Sequence, residues 1–281
     1  MSGTLYVVGT PIGNLGDLSP RGAQTLEDCD FIAAEDTRVT LKLLNHFGIK
    51  KPLVSYYEHN RRARGDEILS RLLAGESCAL VTDAGMPAIS DPGEDLVRLC
   101  HEHGVAVAAV PGPCAFATAL AISGMPAGRF TFEGFLSVNK PGRRDHLRQV
   151  QNETRTMIFY EAPHKLPATL RDMYAVFGER HIAIVRELTK VYEEVIRTTF
   201  SEAIARCEQT PIKGEIVLIV EGAPLPQQEE TASEDALALA LQYLEEGLSP
   251  TDAAKRAARE TGHKKGDIYK LLTERKETDG T

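Results

Sequence analysis

Cys78 to Gly93 reads CALVTDAGMPAISDPG, an apolar run followed by eleven residues that include two Gly, two Pro and two Asp. The run Cys78 to Thr82 has the length and apolar character of a strand covered on both faces. Asp83 to Gly93 is denser in turn formers than a connection requires. Such a loop is rigid and leaves its backbone open for hydrogen bonding, which suits it to gripping a polar ligand.

The same strand-then-turn unit recurs on either side. Leu5 to Val8 leads into Gly9 to Leu15, Phe31 to Ala34 into Glu35 to Arg38, and Val105 to Val110 into Pro111 to Cys114, with a further strand at Leu53 to Tyr56. Helical patterns separate them, so β-α-β units around a mainly parallel sheet are expected, with ligands at the carboxyl ends of the strands. A helix from Cys114 to Ser123 and the break Gly124-Met125-Pro126 close a first domain, 1–125. A second α/β domain follows over 126–222. Its strands are expected at Phe130 to Phe135, Thr156 to Tyr160, Ile182 to Arg186, Val195 to Thr199 and Ile216 to Val220, in an order the sequence does not disclose, with helices near Lys165 to Phe177 and Ser201 to Cys207. A linker over 223–232 leads to a helical tail, 233–281. There Ser233 can cap one helix, Ser249-Pro250 can start a second that ends near Gly262, and a third runs from Lys265 to Leu272.

Composition bounds the rest. The 281 residues are 42% apolar, enough for cores in two domains. Cys29, Cys78, Cys100, Cys114 and Cys207 form no CxxC pair, and neither an apolar leader nor a run of 18 apolar residues occurs. No disulfide framework, zinc site, other metal, secretion or membrane span is expected, which leaves the reducing cytosol. A net charge of -8 argues against general attraction to phosphate, so any nucleic acid must be met by local clusters. Those available are Arg61, Arg62 and Arg64; Lys140, Arg143, Arg144 and Arg148; and Lys255, Arg256, Arg259, Lys264, Lys265 and Lys270, with solvated surface charge as the competing reading of each.

Gly9-Thr10-Pro11-Ile12-Gly13-Asn14-Leu15 lacks the Lys and Ser/Thr of a Walker loop and the three glycines of a dinucleotide fingerprint. Pro111-Gly112-Pro113 opens a helix whose first N–H groups suit an anion or carboxylate. Glu35-Asp36-Thr37-Arg38 is either a base with a substrate clamp or a helix cap with an ion pair. Arg186-Glu187-Leu188-Thr189-Lys190 repeats the theme, and His164 and Lys165 follow Tyr160-Glu161-Ala162-Pro163. His46, His59, His101 and His103 have no metal-ligand spacing and read as surface residues. The residues alone point to an α/β enzyme with a cleft between two domains.

The strings GTPIGNL, AAEDTR, TDAGMPAISDPG, PGPCA, FEGFL, FYEAPHK, RELTK and KGE, in this order, resemble the ribosomal RNA small-subunit methyltransferase I family of the tetrapyrrole methylase superfamily, over residues 4 to 222 and the basic tail. The resemblance implies two α/β domains with a cleft that holds S-adenosylmethionine, a homodimer, and 2′-O-methylation of a cytidine in small-subunit (16S) ribosomal RNA. It also implies cofactor contacts at Ile12, Asp83, Ala84, Gly85, Met86, Cys114, Ala115, Tyr160, Leu188 and Gly214. Asp36, Glu161, Glu187 and Lys190 are the catalytic candidates. Arg38, Arg61, Arg62, Arg143, Arg144, Lys264 and Lys265 are the candidates for RNA. Thr82, Met86, Cys114, Ser137 and Lys165 depart from the family's usual Ser, Thr, Ser, Pro and Arg, and Met86 removes a hydroxyl from beside the expected cofactor. A tetrapyrrole or other small acceptor, and a noncatalytic RNA-binding ribosome assembly factor, stand as the alternatives.

Overall fold

The structure, a computed structural model, describes residues 2–224 and 230–278. The chain divides into two compact units, Met1–Ala223 and Pro224–Thr281. In the first, β1 (Thr4–Val8), α1 (Pro20–Asp28), β2 (Phe31–Ala34), α2 (Thr37–His46), β3 (Leu53–Ser55), α3 (Arg61–Leu73), β4 (Cys78–Val81), α4 (Glu94–Glu102) and β5 (Ala106–Val110) build a parallel sheet of order β3-β2-β4-β1-β5. Strand alternation sorts its side chains. Phe31 and Ala33 point with Leu5 and Leu80 toward Ile68 and Leu72 of α3 and Leu96 of α4, whereas Ile32 and Ala34 point with Val8 and Val81 toward Leu26 of α1 and Leu44 of α2. All of β2 and β4 is therefore buried, which is why their sequences are continuously apolar.

α5 (Ala115–Ser123) then leaves this sheet and packs on a second one. That sheet follows as β6 (Phe130–Phe135), α6 (Lys140–Gln149), β7 (Thr156–Glu161), α7 (Leu166–Phe177), β8 (His181–Arg186), β9 (Glu194–Thr199), α8 (Phe200–Gln209) and β10 (Ile216–Val220). Its order is β6-β7-β10-β8-β9, parallel between β6 and β7 and antiparallel elsewhere. One face, with Met157, Phe159, Ile184 and Leu218, packs on Leu147, Leu170 and Phe200 of α6, α7 and α8. The other, with Ile158, Val185 and Val217, takes Ala119 and Leu120 of α5 together with Ile12, which arrives from the loop after β1.

The second unit holds α9 (Glu230–Glu245), α10 (Pro250–Thr261) and α11 (Lys265–Thr278) around Ala236, Ala240, Ala254, Ala257, Ile268 and Leu272. Ser249 caps α10, accepting from the Asp252 N–H, and Gly262 ends it in the left-handed conformation. Of the expected linker, residues 225–229 lie outside the described residues, as does the Ser233 side chain expected to cap α9; the described helix already begins at Glu230. No helix among the described residues is long and apolar enough to cross a membrane.

One expected surface cation is misplaced. Arg143 is not on a basic surface: it is 8% exposed, and its Nε and Nη2 donate to Asp172 Oδ2 at 2.9 and 2.6 Å. Arg144 donates to the other oxygen at 2.8 Å from a more exposed position. α6 thus turns a guanidinium toward the core, and the buried charge is held there by a buried partner on α7. Burial pushes the Asp172 carboxyl up, but the two arginines outweigh it and hold the group below the usual carboxylate range. A depressed folded pKa makes the stabilisation full above the ordinary Asp pKa and removes it as pH falls through the folded value. Asp172→Ala should lower the unfolding free energy by about 3 kcal/mol at neutral pH, because it strands a buried guanidinium. In urea titrations the gap from the parent should narrow below about pH 4; a midpoint equal to the parent's at pH 7 would contradict this account.

Candidate active site

The carboxyl ends of β1, β4 and β5 meet those of β6, β7 and β8 and the start of β10 around a cavity of about 360 Å³. From the first sheet come Ile12, the turn Ala84 to Met86, the stretch Ile89 to Asp91, and Cys114 with Ala115. From the second come Phe135, the stretch Tyr160 to Pro163, Val185, Leu188, and Glu215 to Val217.

Backbone contacts fix the floor. Thr10 and Gly85 exchange N–H to carbonyl bonds of 2.9 and 3.1 Å, and Thr10 Oγ1 donates to the Thr82 carbonyl at 3.1 Å. A Cβ on Gly112 would stand 2.7 Å from the Gly9 carbonyl oxygen, and one on Gly9 would stand 2.7 Å from both Gly112 Cα and Met86 Sδ. Two main chains therefore touch where only glycine fits. α5 starts just beyond. Its N-cap Cys114 makes no side-chain cap bond, and the Phe116 N–H donates to the Tyr160 hydroxyl at 3.2 Å, tying the helix start to β7 across the cleft. The Tyr160 ring packs against Phe132 and Phe135 at 5.0 and 5.3 Å between centroids.

Strain and perturbed charge gather at the same place. Among the described residues, the non-glycine residues of positive φ are Ala88 and Ser90 in the loop after β4, and Glu187 and Thr189 in the loop after β8. Such conformations cost on the order of 1–3 kcal/mol each and persist where a site requires them. Burial, then the charge of Glu35, pushes the Asp91 carboxyl up to about 6 and raises Asp83 as well. Burial pushes the Tyr160 hydroxyl up to about 12.

Of the residues expected at a cofactor, Ile12, Ala84, Gly85, Met86, Cys114, Ala115, Tyr160 and Leu188 line this cavity, while Asp83 and Gly214 do not. Asp83 Oδ1 accepts from the Asp36 N–H at 3.1 Å behind the turn. Gly214 makes room for a side chain: a Cβ there would meet Glu187 Cγ at 2.3 Å. Among the catalytic candidates only Glu161 lines the cavity, and its oxygens accept from the Ala162 N–H and the Thr169 hydroxyl. Asp36 caps α2 and forms a bidentate pair with Arg38, which holds its carboxyl down to about 2. Glu187 is lowered by its bonds from Lys190 Nζ and the Glu215 N–H, both 3.0 Å, and Lys190 also pairs with Glu215 at 3.2 Å, its stem lying over Gly13.

Phe135, Asp91 and Glu215 are cavity residues that the sequence reading passed over. All three stand inside strings it did single out, FEGFL, TDAGMPAISDPG and KGE; motif and turn composition mark a segment but not the side chain that faces inward. Arg38 is exposed at the rim of the first sheet. Arg61 and Arg62 instead line a separate mixed-charge depression with Glu58, Asp66, Asp95 and Glu102, Arg61 pairing with Asp95 at 3.1 Å. Lys264 and Lys265 are exposed at the turn from α10 into α11.

Residues 4–204 match the family model described as Tetrapyrrole (Corrin/Porphyrin) Methylases. A protein of Halalkalibacterium halodurans named ribosomal RNA small subunit methyltransferase I is 47% identical over 273 residues, 96% of this chain and 94% of that protein. One of the same name from Thermotoga maritima is 47% identical over 220 residues, 78% of this chain and 99% of that protein. Among solved structures, a cobalt precorrin-4 methyltransferase of cobalamin biosynthesis superposes with a TM-score of 0.58 at 15% identity, covering 78% of this chain and 94% of that one, a likeness of fold. The chain is a methyltransferase of the tetrapyrrole methylase family, and within it belongs with the ribosomal RNA small subunit methyltransferases I.

Proposed function

We propose that the chain moves the methyl group of S-adenosylmethionine to the ribose 2′-hydroxyl of a cytidine in small-subunit (16S) ribosomal RNA, in the cytosol. The observation that carries the reading is the cavity shared by loops of both sheets. Its size, about 360 Å³, falls in the range of small-molecule sites, roughly 300–1,000 Å³. Ile12, Val185, Leu188 and Ile216 offer apolar walls for an adenine ring and ribose carbons, and the first turn of α5 offers N–H donors suited to a carboxylate. Met86 brings sulfur rather than a hydroxyl, so the Gly85-Met86 turn serves through its backbone. When bound, S-adenosylmethionine supplies an electrophilic methyl carbon on a sulfonium.

The chain's own residues then position and enclose. Tyr160, anchored at the Phe116 N–H, forms a wall from the second sheet against loops from the first. That placement holds the acceptor in line, the arrangement from which most acceleration in such a transfer comes. The name of the relatives supports ribosomal RNA as acceptor, and the motif resemblance supports its ribose. Phosphate contacts are assigned to Arg38, Arg144, Lys264 and Lys265, which reach solvent. The helical tail, which carries the exposed Lys264 and Lys265 and none of whose described residues lines the cavity, is assigned to RNA affinity rather than to chemistry.

A homodimer is part of the proposal. β5 and β6 are edge strands, and Ala106 and Ala109 of β5, Phe130 of β6 and Ile122 of α5 are exposed apolar residues that a second copy would cover. Light scattering at micromolar concentration should give twice the mass of one chain; a monomer throughout that range would contradict the pairing. Labelled methyl from S-adenosylmethionine should pass to small-subunit particles, and nuclease digestion should locate it on a cytidine ribose. Label on a base, on protein or on an added tetrapyrrole, with ribose unlabelled, would overturn the acceptor while leaving the methyltransferase family intact.

A further inference from the structure

We propose that Asp91 is the group that takes the proton of the acceptor hydroxyl. This rests on the ribose reading of the acceptor given above. The other acidic groups that line the cavity are committed elsewhere, Glu215 to Lys190 and Glu161 to the Ala162 N–H and Thr169 hydroxyl. So are those behind it: Asp36 to Arg38, Glu187 to Lys190 and the Glu215 N–H, Asp83 to the Asp36 N–H, and Glu35 to the Thr82 hydroxyl. Asp91 lines the cavity and is paired with no cation among the described residues.

Its backbone setting is built for that orientation. Ala88 and Ser90 hold left-handed φ values of 67° and 65° without being glycine, and together they turn the chain so that Asp91 faces the cavity. Ser90 reaches the opposite wall, where a Cβ on Gly134 of β6 would meet its Oγ at 3.7 Å. The loop thus spans from β4 to the second sheet and sets a carboxylate between the two.

The groups facing Asp91 favour a proton-accepting role near neutral pH. Burial and the charges of Glu35 and Asp83 raise its carboxyl. The nearby Thr82 hydroxyl spends its one proton on Glu35 Oε2 at 2.6 Å. From the second sheet Tyr160, Glu161 and Glu215 line the same cavity, and Tyr160 is a neutral phenol at pH 7. A base that titrates close to the working pH combines a deprotonated population with real proton affinity. In the step, the hydroxyl oxygen bonds to the methyl carbon, the carbon–sulfur bond breaks with its electron pair passing to sulfur, and the hydroxyl proton comes to rest on Asp91. Solvent removes it afterwards.

The test compares the full-length protein with Asp91→Asn and Asp91→Glu. Calorimetry measures S-adenosylmethionine binding, and single-turnover methyl transfer to small-subunit particles is followed from pH 5 to 9. The parent should show an acid limb near pH 6. Asp91→Asn should bind S-adenosylmethionine as the parent does, transfer about 100-fold more slowly at pH 7, and lose that limb; Asp91→Glu should recover part of the rate and keep a limb. Asp91→Asn that binds normally and keeps the parent rate or the parent acid limb overturns the proposal. So does loss of binding, which would make Asp91 a cofactor ligand. A parent protein that labels no ribose overturns the acceptor reading instead, so the two failures are told apart.

Discussion

The site depends on a contact between two main chains. Gly9, leaving β1, and Gly112, leaving β5, approach so closely that a Cβ on either would stand 2.7 Å from backbone of the other. Beside them Thr10 and Gly85 exchange backbone hydrogen bonds, so three loops from one sheet edge share a floor. This is a steric constraint before it is an energetic one. Glycine at both positions sets the spacing, and the cavity above inherits it.

The second sheet closes the cavity because α5 begins on that floor and packs elsewhere. Its first turn receives Tyr160 through the Phe116 N–H, and its body, with Ile12, covers the face of the second sheet formed by Ile158, Val185 and Val217. One helix thus carries the register of the first sheet into the second. The acidic groups are sorted by the same arrangement. Those at the outer rim, Asp36 and Glu187, find cations and stay low, whereas Asp91, turned inward by two left-handed residues, keeps an elevated carboxyl at the cavity wall.

Much of this was legible in the sequence, for physical reasons that differ by element. β2 and β10 were readable because both faces of each are covered, making the apolar run continuous. The loops were readable because tight strand-to-helix turns demand Gly, Pro and Asp. The order of the second sheet was not, since pairings such as Ile158 with Ile219 join residues far apart in the chain and leave no local trace. α6 was hidden because Arg143 occupies a core-facing position where periodicity would show an apolar residue, and its pairing with Asp172 depends on α7. Asp91 was overlooked because turn composition marks the loop but is silent on which side chain the left-handed turn aims inward. Asp36 and Glu187 drew attention instead, and their nearby cations show them to be ion-paired.

The claim that the glycine floor shapes the cavity proposed for S-adenosylmethionine is tested most directly by Gly112→Ala. The added methyl must displace the Gly9 backbone, an overpacking cost of about 1–3 kcal/mol. Calorimetry on protein that circular dichroism shows to be folded should find S-adenosylmethionine affinity reduced by about tenfold or more. Parent-like affinity in the folded variant would contradict the account, because the cavity would then not depend on the contact from which its geometry is argued.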